Sequence, residues 1–371
     1  MQLAIVAAGF SPGEADQLRR AMAAWKRKGG LAPFREKLLA GMAERGYARE
    51  FAEGLYRQIE GFGDYGFPES HAASFALLVY VSAWLKRHQP AAFLVGLLNS
   101  QPMGFYSASQ LIQDARRHGV AVLPVDAAAS DWETTLEDGA VRLGLHRVAR
   151  LGAAAGERIA AARRQAAFVS VADLAHRAGL DRNELEALAA AGALKPLAGH
   201  RFGAAWAAAA HSPGYDLLAA APVAEAAVSL AAPSEGQDLV ADYTSLGFTL
   251  GRHPLALLRP RLDPRYAPAG ELRRRGHGAP TRCVGLVTCR QRPGTASGVI
   301  FLTLEDETGL ANIIIHPGLA ERQRQEVLGA RLLGVLGVLQ REGEVVHLLA
   351  KRLVDHTPLL GRLPTASRDF C

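Results

Sequence analysis

The sequence predicts a multidomain α+β protein with a helical first half and an all-β unit near its end. Two capping boxes, at Ser11–Glu14 and Ser107–Gln110, open helices with apolar residues at helical spacing. Ala, Pro, Ser and Gly then dominate residues 198–236, and short alternating apolar runs follow. We therefore predict an all-α unit (1–120), short strands with paired helices (121–198), a flexible Ala/Pro-rich linker (199–278), a five-stranded β-barrel (279–356) and a C-terminal tail (357–371).

The composition is mildly basic and compatible with folded cores. Among 371 residues, 42 Lys and Arg outnumber 36 Asp and Glu, which gives a formal net charge of +6. This excess suits a nucleic-acid partner but does not establish one. No signal peptide is evident, and no apolar run reaches the length of a membrane span. We therefore expect a cytoplasmic chain without a membrane partner.

The three cysteines, Cys283, Cys289 and Cys371, form no CxxC pair. The sequence thus predicts reduced thiols and no zinc site. Because Cys283 and Cys289 are six positions apart, both face the same side if this segment is a strand.

The helix after Ser11 carries two rows of cations. Arg19 and Lys26 share one stripe, and Arg20 and Arg27 lie beside them. Such rows are usually a solvated helix face. They would equally suit a polyphosphate or a DNA backbone, which arginine binds in bidentate geometry.

A glycine-rich stretch, residues 61–75, leads into a strongly apolar helix. Three glycines precede Pro68, and Ser70 can cap the helix that follows. Residues 72–85 are apolar on nearly every side, which predicts a helix buried in a larger body. The stretch is either a plain capped turn or, with Ser70 and His71 at a helix N-terminus, a place to hold phosphate.

Residues 148–159 have the pattern of the first half of a helix–hairpin–helix motif. In that motif the turn between two helices presents backbone N–H groups to a DNA phosphate. Gly152 is the predicted turn glycine, although the usual second glycine is missing. A further helical pair is predicted at 171–178 and 182–191. The predicted phosphate-neutralising cations are Arg150, Arg158, Arg163 and Arg164.

The last compact unit has the element order of an OB-fold. Strands are predicted at 282–290, 299–304, 311–316, 331–339 and 345–353, with a helix at 318–328 between the third and fourth. Arg290, Arg292 and Arg341 lie near the connecting loops and could follow a single-stranded backbone. We interpret Glu305–Gly309 as a turn rather than an acidic metal site.

Several of these stretches resemble the fingers and the later domains of bacterial C-family DNA polymerases, the family of the DNA polymerase III alpha subunit. The resemblance covers nearly the whole chain in order. Residues 242–254 resemble the linker of the error-prone branch, and the chain ends just after the OB unit, as that branch does, with Cys371 in place of its usual histidine. The stretches are Ala8–Met22, Tyr65–Phe75, Ser82–Phe93, Val141–Leu145 with Ala189–Leu194, and Phe301–Gly309.

The resemblance implies roles for particular residues. It places Arg19 and Arg20 toward the triphosphate of an incoming dNTP, and Ser70 and His71 near its sugar and phosphates. It implies duplex DNA contact by the helix–hairpin–helix unit and single-stranded template contact by the OB unit. Lys26, Arg27 and Lys28 belong to a DNA-binding basic stretch of the same region.

One departure from the family concerns the metals. C-family polymerases bind Mg²⁺ through an Asp-x-Asp motif and a third Asp in the palm, and no Asp-x-Asp occurs in this sequence. We therefore expect a fragment of an error-prone, translesion polymerase that binds no metal and cannot extend a primer alone. Its implied protein partners are a DNA-damage-induced mutagenesis complex and, through it, the sliding clamp.

Two other interpretations remain open. The chain could be a stand-alone, non-catalytic DNA-binding protein with helix–hairpin–helix and OB modules, or a nonfunctional remnant. The helical first unit discriminates against a binding module, which has no use for Arg19, Arg20 and His71 in register.

Overall fold

A computed structural model describes residues 2–23, 31–64, 69–104, 106–211, 228–294, 296–365 and 367–370. The side chains of residues 22, 23, 32, 61–64, 69–71 and 370 are outside this description. The chain forms two compact units: Met1–Tyr80 with Asp263–Pro358 and Ala366–Cys371, and Val81–Leu262 with Leu359–Thr365.

Helices occupy most of the first 260 residues, and strands most of the remainder. The helices are α1 Gln2–Ala8, α2 Pro12–Ala23, α3 Ala32–Glu44, α4 Arg49–Asp64, α5 Glu69–His88, α6 Pro90–Asn99, α7 Ala108–Arg117, α8 Ala153–Gln165, α9 Val171–Ala178, α10 Arg182–Ala190, α11 Lys195–Ala198, α12 Arg201–Ala210, α13 Glu235–Ser245, α14 Pro254–Leu258, α15 Ala269–Leu272, α16 Pro317–Arg322 and α17 Arg324–Gly329. The strands are β1 Val122–Leu123, β2 Thr135–Glu137, β3 Ala140–Arg142, β4 Pro280–Gln291, β5 Ile300–Asp306, β6 Gly309–Ile315, β7 Leu332–Glu342, β8 Val345–Asp355 and β9 Arg368–Phe370.

Both predicted capping boxes are present. The Ser11 N–H donates to Glu14 Oε2 at 2.9 Å, and the Glu14 N–H donates back to Ser11 Oγ at 3.3 Å. Ser107 and Gln110 exchange the same two bonds at the start of α7. Lys37 also donates to the Glu14 carboxylate, and this bond, with those from Ser11, lowers the pKa of Glu14 to about 2. Local sequence therefore fixes these helix starts.

Helix α5 differs from its prediction. The described apolar side chains between residues 77 and 84 are largely solvent-exposed, from 45% for Val81 to 70% for Tyr80. The apolar pattern predicted burial, but the described part of the chain does not cover this surface. Such a surface is typical of a contact site with other protein.

The second unit contains a small sheet beside a helical core. Strands β2 and β3 form the predicted hairpin, and Asp138 and Gly139 at its tip adopt φ of 50° and 83°. Positive φ at both central residues is the geometry of a type I′ turn. Strand β1 pairs in parallel with β3. Ile159, Leu174, Leu185 and Leu188 of α8 to α10 lie in the core.

The first unit contains the predicted five-stranded barrel. Its strands follow the order β5-β6-β8-β7-β4, and pairing of β4 with β5 closes the barrel. Strands β6 and β8 are parallel, whereas the other pairs in the barrel are antiparallel. The predicted single helix between the third and fourth strands is split into α16 and α17. The OB-fold prediction is confirmed, with longer strands than expected.

The Glu305–Gly309 segment is a turn, as interpreted. Asp306 Oδ1 accepts from the N–H groups of Thr308 and Gly309 at 2.8 and 3.0 Å, and its Oδ2 accepts from the Ala269 N–H at 2.7 Å. This buried carboxylate therefore satisfies backbone donors of both the turn and α15.

The expectation that Cys283 and Cys289 share a face is wrong. The register of β4 against β5 shifts between Val287 and Cys289, which marks a β-bulge. A bulge inserts one residue and breaks the alternation of faces. Cys283 consequently lies in the barrel core, and Cys289 is outside it and only partly buried. Burial raises the pKa of the Cys289 thiol.

We expect the barrel to lose stability in mild acid through His356. The His356 Nε2 lies 3.0 Å from the Tyr266 hydroxyl, and burial lowers the pKa of the histidine below its usual 6.5. The unfolded chain then binds a proton that the folded chain rejects, so stability is full above about pH 6.5 and falls below it. Urea unfolding at pH 7.5 and 5.5 measures this loss.

The His356→Gln variant isolates the effect. It should show a smaller drop in unfolding free energy between the two pH values than the unmodified chain. The same substitution at the exposed His316 serves as the control and should leave the drop unchanged. An identical pH profile for His356→Gln would contradict this assignment.

Candidate nucleic-acid interface

The predicted DNA-binding turn lies between a short 3₁₀ turn, Leu145–Arg147, and helix α8. We call residues Val148–Gly152 the first hairpin. Gly152 is the N-cap residue of α8 with an ordinary φ of −86°, and Arg150 instead adopts the left-handed conformation, with φ of 70°. Gly152 thus lies in the turn, as predicted, and the left-handed residue of this turn is Arg150.

The N-terminus of α8 presents unbonded backbone donors. The N–H groups of Gly152, Ala153 and Ala154 have no acceptor within the described part of the chain, and no side chain caps the helix. Gly152 to Ala154 are all solvent-exposed. Unbonded N–H groups and the positive end of the helix dipole together favour an anion such as phosphate.

Tertiary contacts fix the position of the first hairpin. The Ala149 N–H donates to the Ser245 carbonyl at 2.8 Å, which ties the hairpin to the end of α13. On α8, a Cβ at Gly156 would lie 2.4 Å from the Trp132 ring, so only glycine allows this close packing. Val148 and Leu151 are buried in the core. The hydrogen bond to α13 and the packing of α8 against Trp132 thus fix the conformation of the turn.

The turn between α9 and α10, which we call the second hairpin, has the opposite character. Gly179 is left-handed there, with φ of 57°, but Asp181 occupies the N-cap of α10. The Asp181 side chain accepts from the Glu184 N–H at 2.8 Å, and Glu184 accepts from the Asp181 N–H at 3.0 Å. Two carboxylates already satisfy this helix start and would repel a phosphate.

Two of the four predicted phosphate contacts in this region have bonds within the protein. Arg158 donates through Nε to the Ala178 carbonyl at 2.9 Å and through one terminal nitrogen to both Glu184 oxygens. Arg163 donates to the Ser130 carbonyl at 2.6 Å and binds Asp131. Both guanidinium groups connect elements of the fold. Their assignment to DNA stays a prediction, and the geometry gives each a structural role.

The guanidinium groups of Arg150 and Arg164, unlike those of Arg158 and Arg163, are not bonded to other described residues. Both residues are exposed, and neither guanidinium has a hydrogen bond or ion pair within the described residues. Arg150 belongs to the first hairpin itself, whereas Arg164 lies near the opposite end of α8. Of the four cations, only Arg150 is adjacent to the unbonded N–H groups.

The nucleotide-site predictions are only partly within the described chain. Arg19 and Arg20 lie exposed on α2, and both bind the Asp16 carboxylate, at 2.9 and 2.8 Å. The hydrogen bond from Arg19 is the main cause of the lowered pKa of Asp16. The side chains of Ser70 and His71, and the residues Lys26, Arg27 and Lys28, fall outside the described part. These assignments remain predictions.

The three arginines predicted for the OB unit have unequal environments. Arg290 is buried, and it donates to the Val327 carbonyl at 2.8 Å and to the Ala330 carbonyl, joining β4 to α17. Arg341 donates to the carbonyls of Arg273 and Arg275. Arg292 alone is exposed, at the rim of a pocket of about 270 Å³ lined by Ile300, Val327 and Leu328. Contact of these arginines with DNA stays a prediction.

Sequence reasoning missed a buried ionic network in the predicted linker. Arg201 of α12 is 6% exposed and binds Asp238 and Asp242 of α13. The second Asp242 oxygen accepts from the Thr249 hydroxyl, and Lys195 binds Asp238 at 3.0 Å. These charges line a cavity of about 240 Å³. Arg201 is 37 positions from Asp238 and 41 positions from Asp242 in the sequence, so no local sequence pattern reveals the network.

The described residues include no group of three or more His, Cys, Asp or Glu side chains placed to hold a metal ion. No described helix is long and apolar enough to cross a membrane.

Family comparisons agree with this geometry. The family model of the bacterial DNA polymerase III alpha subunit finger domain matches residues 1–46, and that of the helix-hairpin-helix motif matches residues 119–204. The second match contains both hairpins. It confirms the helix–hairpin–helix prediction for this region.

Individual relatives match the whole chain. The error-prone DNA polymerase of Dechloromonas aromatica (strain RCB) is 63% identical over 373 residues, and that of Azoarcus sp. (strain BH72) is 63% identical over 381 residues. The chain is similar along its whole length to one part of these error-prone DNA polymerases. It spans 36% of the length of each of these two relatives. The predicted resemblance to error-prone polymerases of the DNA polymerase III alpha subunit family is thus confirmed.

Solved structures give only partial matches. Asparaginyl-tRNA synthetase from Pyrococcus horikoshii, complexed with asparaginyl-adenylate, is 17% identical with a TM-score of 0.22 and covers 25% of this chain and 22% of its own. The OBody AM1L10 bound to hen egg-white lysozyme is 12% identical with a TM-score of 0.22, covering 25% of this chain and 91% of its own.

We expect Arg158 to act on stability. The Arg158→Ala variant loses the bonds to Ala178 and Glu184, which should lower the unfolding free energy by about 1–3 kcal/mol. Arg182→Ala, which removes only an exposed α10 pair with Glu186, should cost no more than about 0.5 kcal/mol. Chemical unfolding measures both. Equal stability of the two variants would contradict the structural role.

Proposed function

We propose that this chain is the DNA-binding part of an error-prone, DNA-damage-associated polymerase. We also propose that its first hairpin binds the backbone of duplex DNA. The observation that carries the proposal is the set of unbonded N–H groups at Gly152, Ala153 and Ala154, directly after the unpaired Arg150. Backbone donors and an arginine suit a phosphate and carry no base information. Binding should therefore be independent of sequence and sensitive to salt.

The helical segment that begins the chain supports a second contribution. We propose that Arg19 and Arg20 contact the triphosphate of an incoming dNTP, together with Ser70 and His71. Both arginines are exposed and share a single carboxylate, so two positive charges face one negative charge. A triphosphate could displace that carboxylate because it offers more negative charge and several bidentate acceptors.

The metal chemistry is proposed to come from outside these residues. Two-metal phosphoryl transfer needs clustered carboxylates, and the described residues contain no such cluster. The described residues therefore do not fit a pair of Mg²⁺ ions. The sequence contains no Asp-x-Asp motif.

The purified chain should not extend a primer. A primer–template with Mg²⁺ and all four dNTPs, resolved on a denaturing gel, tests this directly. An unchanged primer is expected because the described residues contain no cluster of carboxylates placed to hold metal ions. Extension above a no-enzyme control would contradict it.

The partners are proposed by homology to the error-prone polymerases. They are DNA, as a duplex backbone and as a single-stranded template, dNTP, the proteins of a damage-induced mutagenesis complex and, indirectly, the sliding clamp. The template contact would use the OB unit, where Arg292 is exposed and Phe301 on β5 is half-buried. One half-buried aromatic side chain suits modest base stacking.

A stand-alone DNA-binding protein is the second candidate. The helix–hairpin–helix match and the barrel would serve it equally well. Identity of 63% along the whole chain, including the finger-domain segment, favours the polymerase. Binding of dNTP by the chain separates the two candidates.

Arg150 gives the sharpest test of the hairpin. Arg150→Gly relieves the strain of the left-handed backbone, which stabilises the folded chain, but it also raises the conformational entropy of the unfolded chain, which destabilises the fold. Each effect is worth about 1 kcal/mol, so the free energy of unfolding should change little. Loss of the cation should reduce the slope of log affinity against log salt by about one and weaken duplex binding. Fluorescence anisotropy across a salt series measures both.

The control keeps the charge. Arg150→Lys should bind with nearly the unmodified salt slope. A slope that is unchanged in Arg150→Gly would exclude Arg150 from the DNA interface.

A further inference from the structure

Arg147 was not among the residues that sequence reasoning selected, yet its environment is unusual. It ends the 3₁₀ turn that leads into the first hairpin, three positions before Arg150. Its guanidinium lies over the ring of Phe248, with the Cζ atom 5.8 Å from the ring centroid. Phe248 is 2% exposed and belongs to the core of the second unit. The arginine therefore rests on a rigid aromatic support.

No anion among the described residues accompanies this charge. The Arg147 guanidinium has no hydrogen bond or ion pair in the described chain, and its Nε is buried without an acceptor. Burial lowers the pKa of the guanidinium, and no carboxylate opposes the effect. A partly desolvated cation without a counter-ion is costly, which makes this arginine a candidate for a functional site. Interaction with the Phe248 ring offsets only part of that cost.

The other arginines of the region show that this lack of a partner is selective. Arg158 and Arg163 bind Glu184 and Asp131, and Arg177 binds Asp173 at 3.2 Å. Arg142 is bonded to Glu137 in the same way. The chain thus supplies carboxylates to arginines that connect its elements. Among the described residues it supplies none to Arg147 and Arg150, which lie within seven positions of the unbonded N–H groups of α8.

We propose that Arg147 is a ligand of the DNA phosphodiester backbone, held over Phe248 beside the first hairpin. The phosphate supplies the missing counter-charge, and the planar guanidinium offers it two terminal nitrogens. The aromatic support limits the side chain before binding, so less conformational entropy is lost when the phosphate binds. The second hairpin takes no part, because Asp181 and Glu184 occupy the corresponding helix start.

This inference rests on the proposed DNA contact of the first hairpin. The experiment uses the full chain, a fluorescent duplex oligonucleotide and a salt series, with affinity measured by anisotropy. In Arg147→Gln the slope of log affinity against log salt should become less steep by about 0.9, the value for one phosphate contact. Thermal unfolding should occur at the same temperature or higher, because an unpaired cation has been removed.

Two variants control for charge and for structure. Arg182→Gln makes the same change in net charge on α10, at a residue paired with Glu186, and should leave the slope unchanged. Arg147→Lys keeps the charge and should retain most of the slope. Equal slopes for Arg147→Gln and the unmodified chain would overturn the inference, as would an equal loss in Arg182→Gln.

The remaining outcomes are also decisive. Lower thermal stability or failure to fold in Arg147→Gln would overturn the inference, because it would show that the arginine holds the fold together. Absence of salt-dependent DNA binding by the unmodified chain would instead refute the proposed function itself. The two failures are therefore distinguishable.

Discussion

The hydrogen bond from the Ala149 N–H to the Ser245 carbonyl is the contact on which the candidate interface depends. It joins the first hairpin to the end of α13, two elements far apart in sequence. Ser245 is itself fixed, since its hydroxyl donates to the Ala241 carbonyl at 2.7 Å and its Oγ lies 3.2 Å from the Ala190 carbonyl oxygen. The hairpin therefore takes its position from the helices packed against it, and its left-handed Arg150 is held by context rather than by glycine.

The same context explains the role of the segment after α13. Asp242 binds the buried Arg201 and accepts from Thr249, and Phe248 fills the core beneath Arg147. Residues 242–254 were the sequence signature of the error-prone branch. In the fold these residues support the first hairpin. The segment 242–254, which resembles the error-prone branch, therefore also has a structural role in the same unit.

Local features were predictable from the sequence, and tertiary ones were not. The capping boxes at Ser11 and Ser107, the β2–β3 turn and the OB strand order follow from residue types at fixed spacing. The pairing of Arg158 with Glu184 spans 26 positions and appears only when α8 packs on α9 and α10. Sequence could show that arginines are abundant near the hairpin. It could not show which of them lack a carboxylate partner, and that property separates Arg147 and Arg150 from Arg158 and Arg163.

The central claim is that the first hairpin, and not the second, binds the DNA backbone. Hydrogen–deuterium exchange of the full chain with and without duplex DNA tests it most directly, because it reports on the backbone N–H groups themselves. Peptides covering residues 148–156 should exchange more slowly when DNA is bound, while those covering 178–186 should be unchanged. Equal protection of both hairpins, or protection of the second alone, would contradict the account.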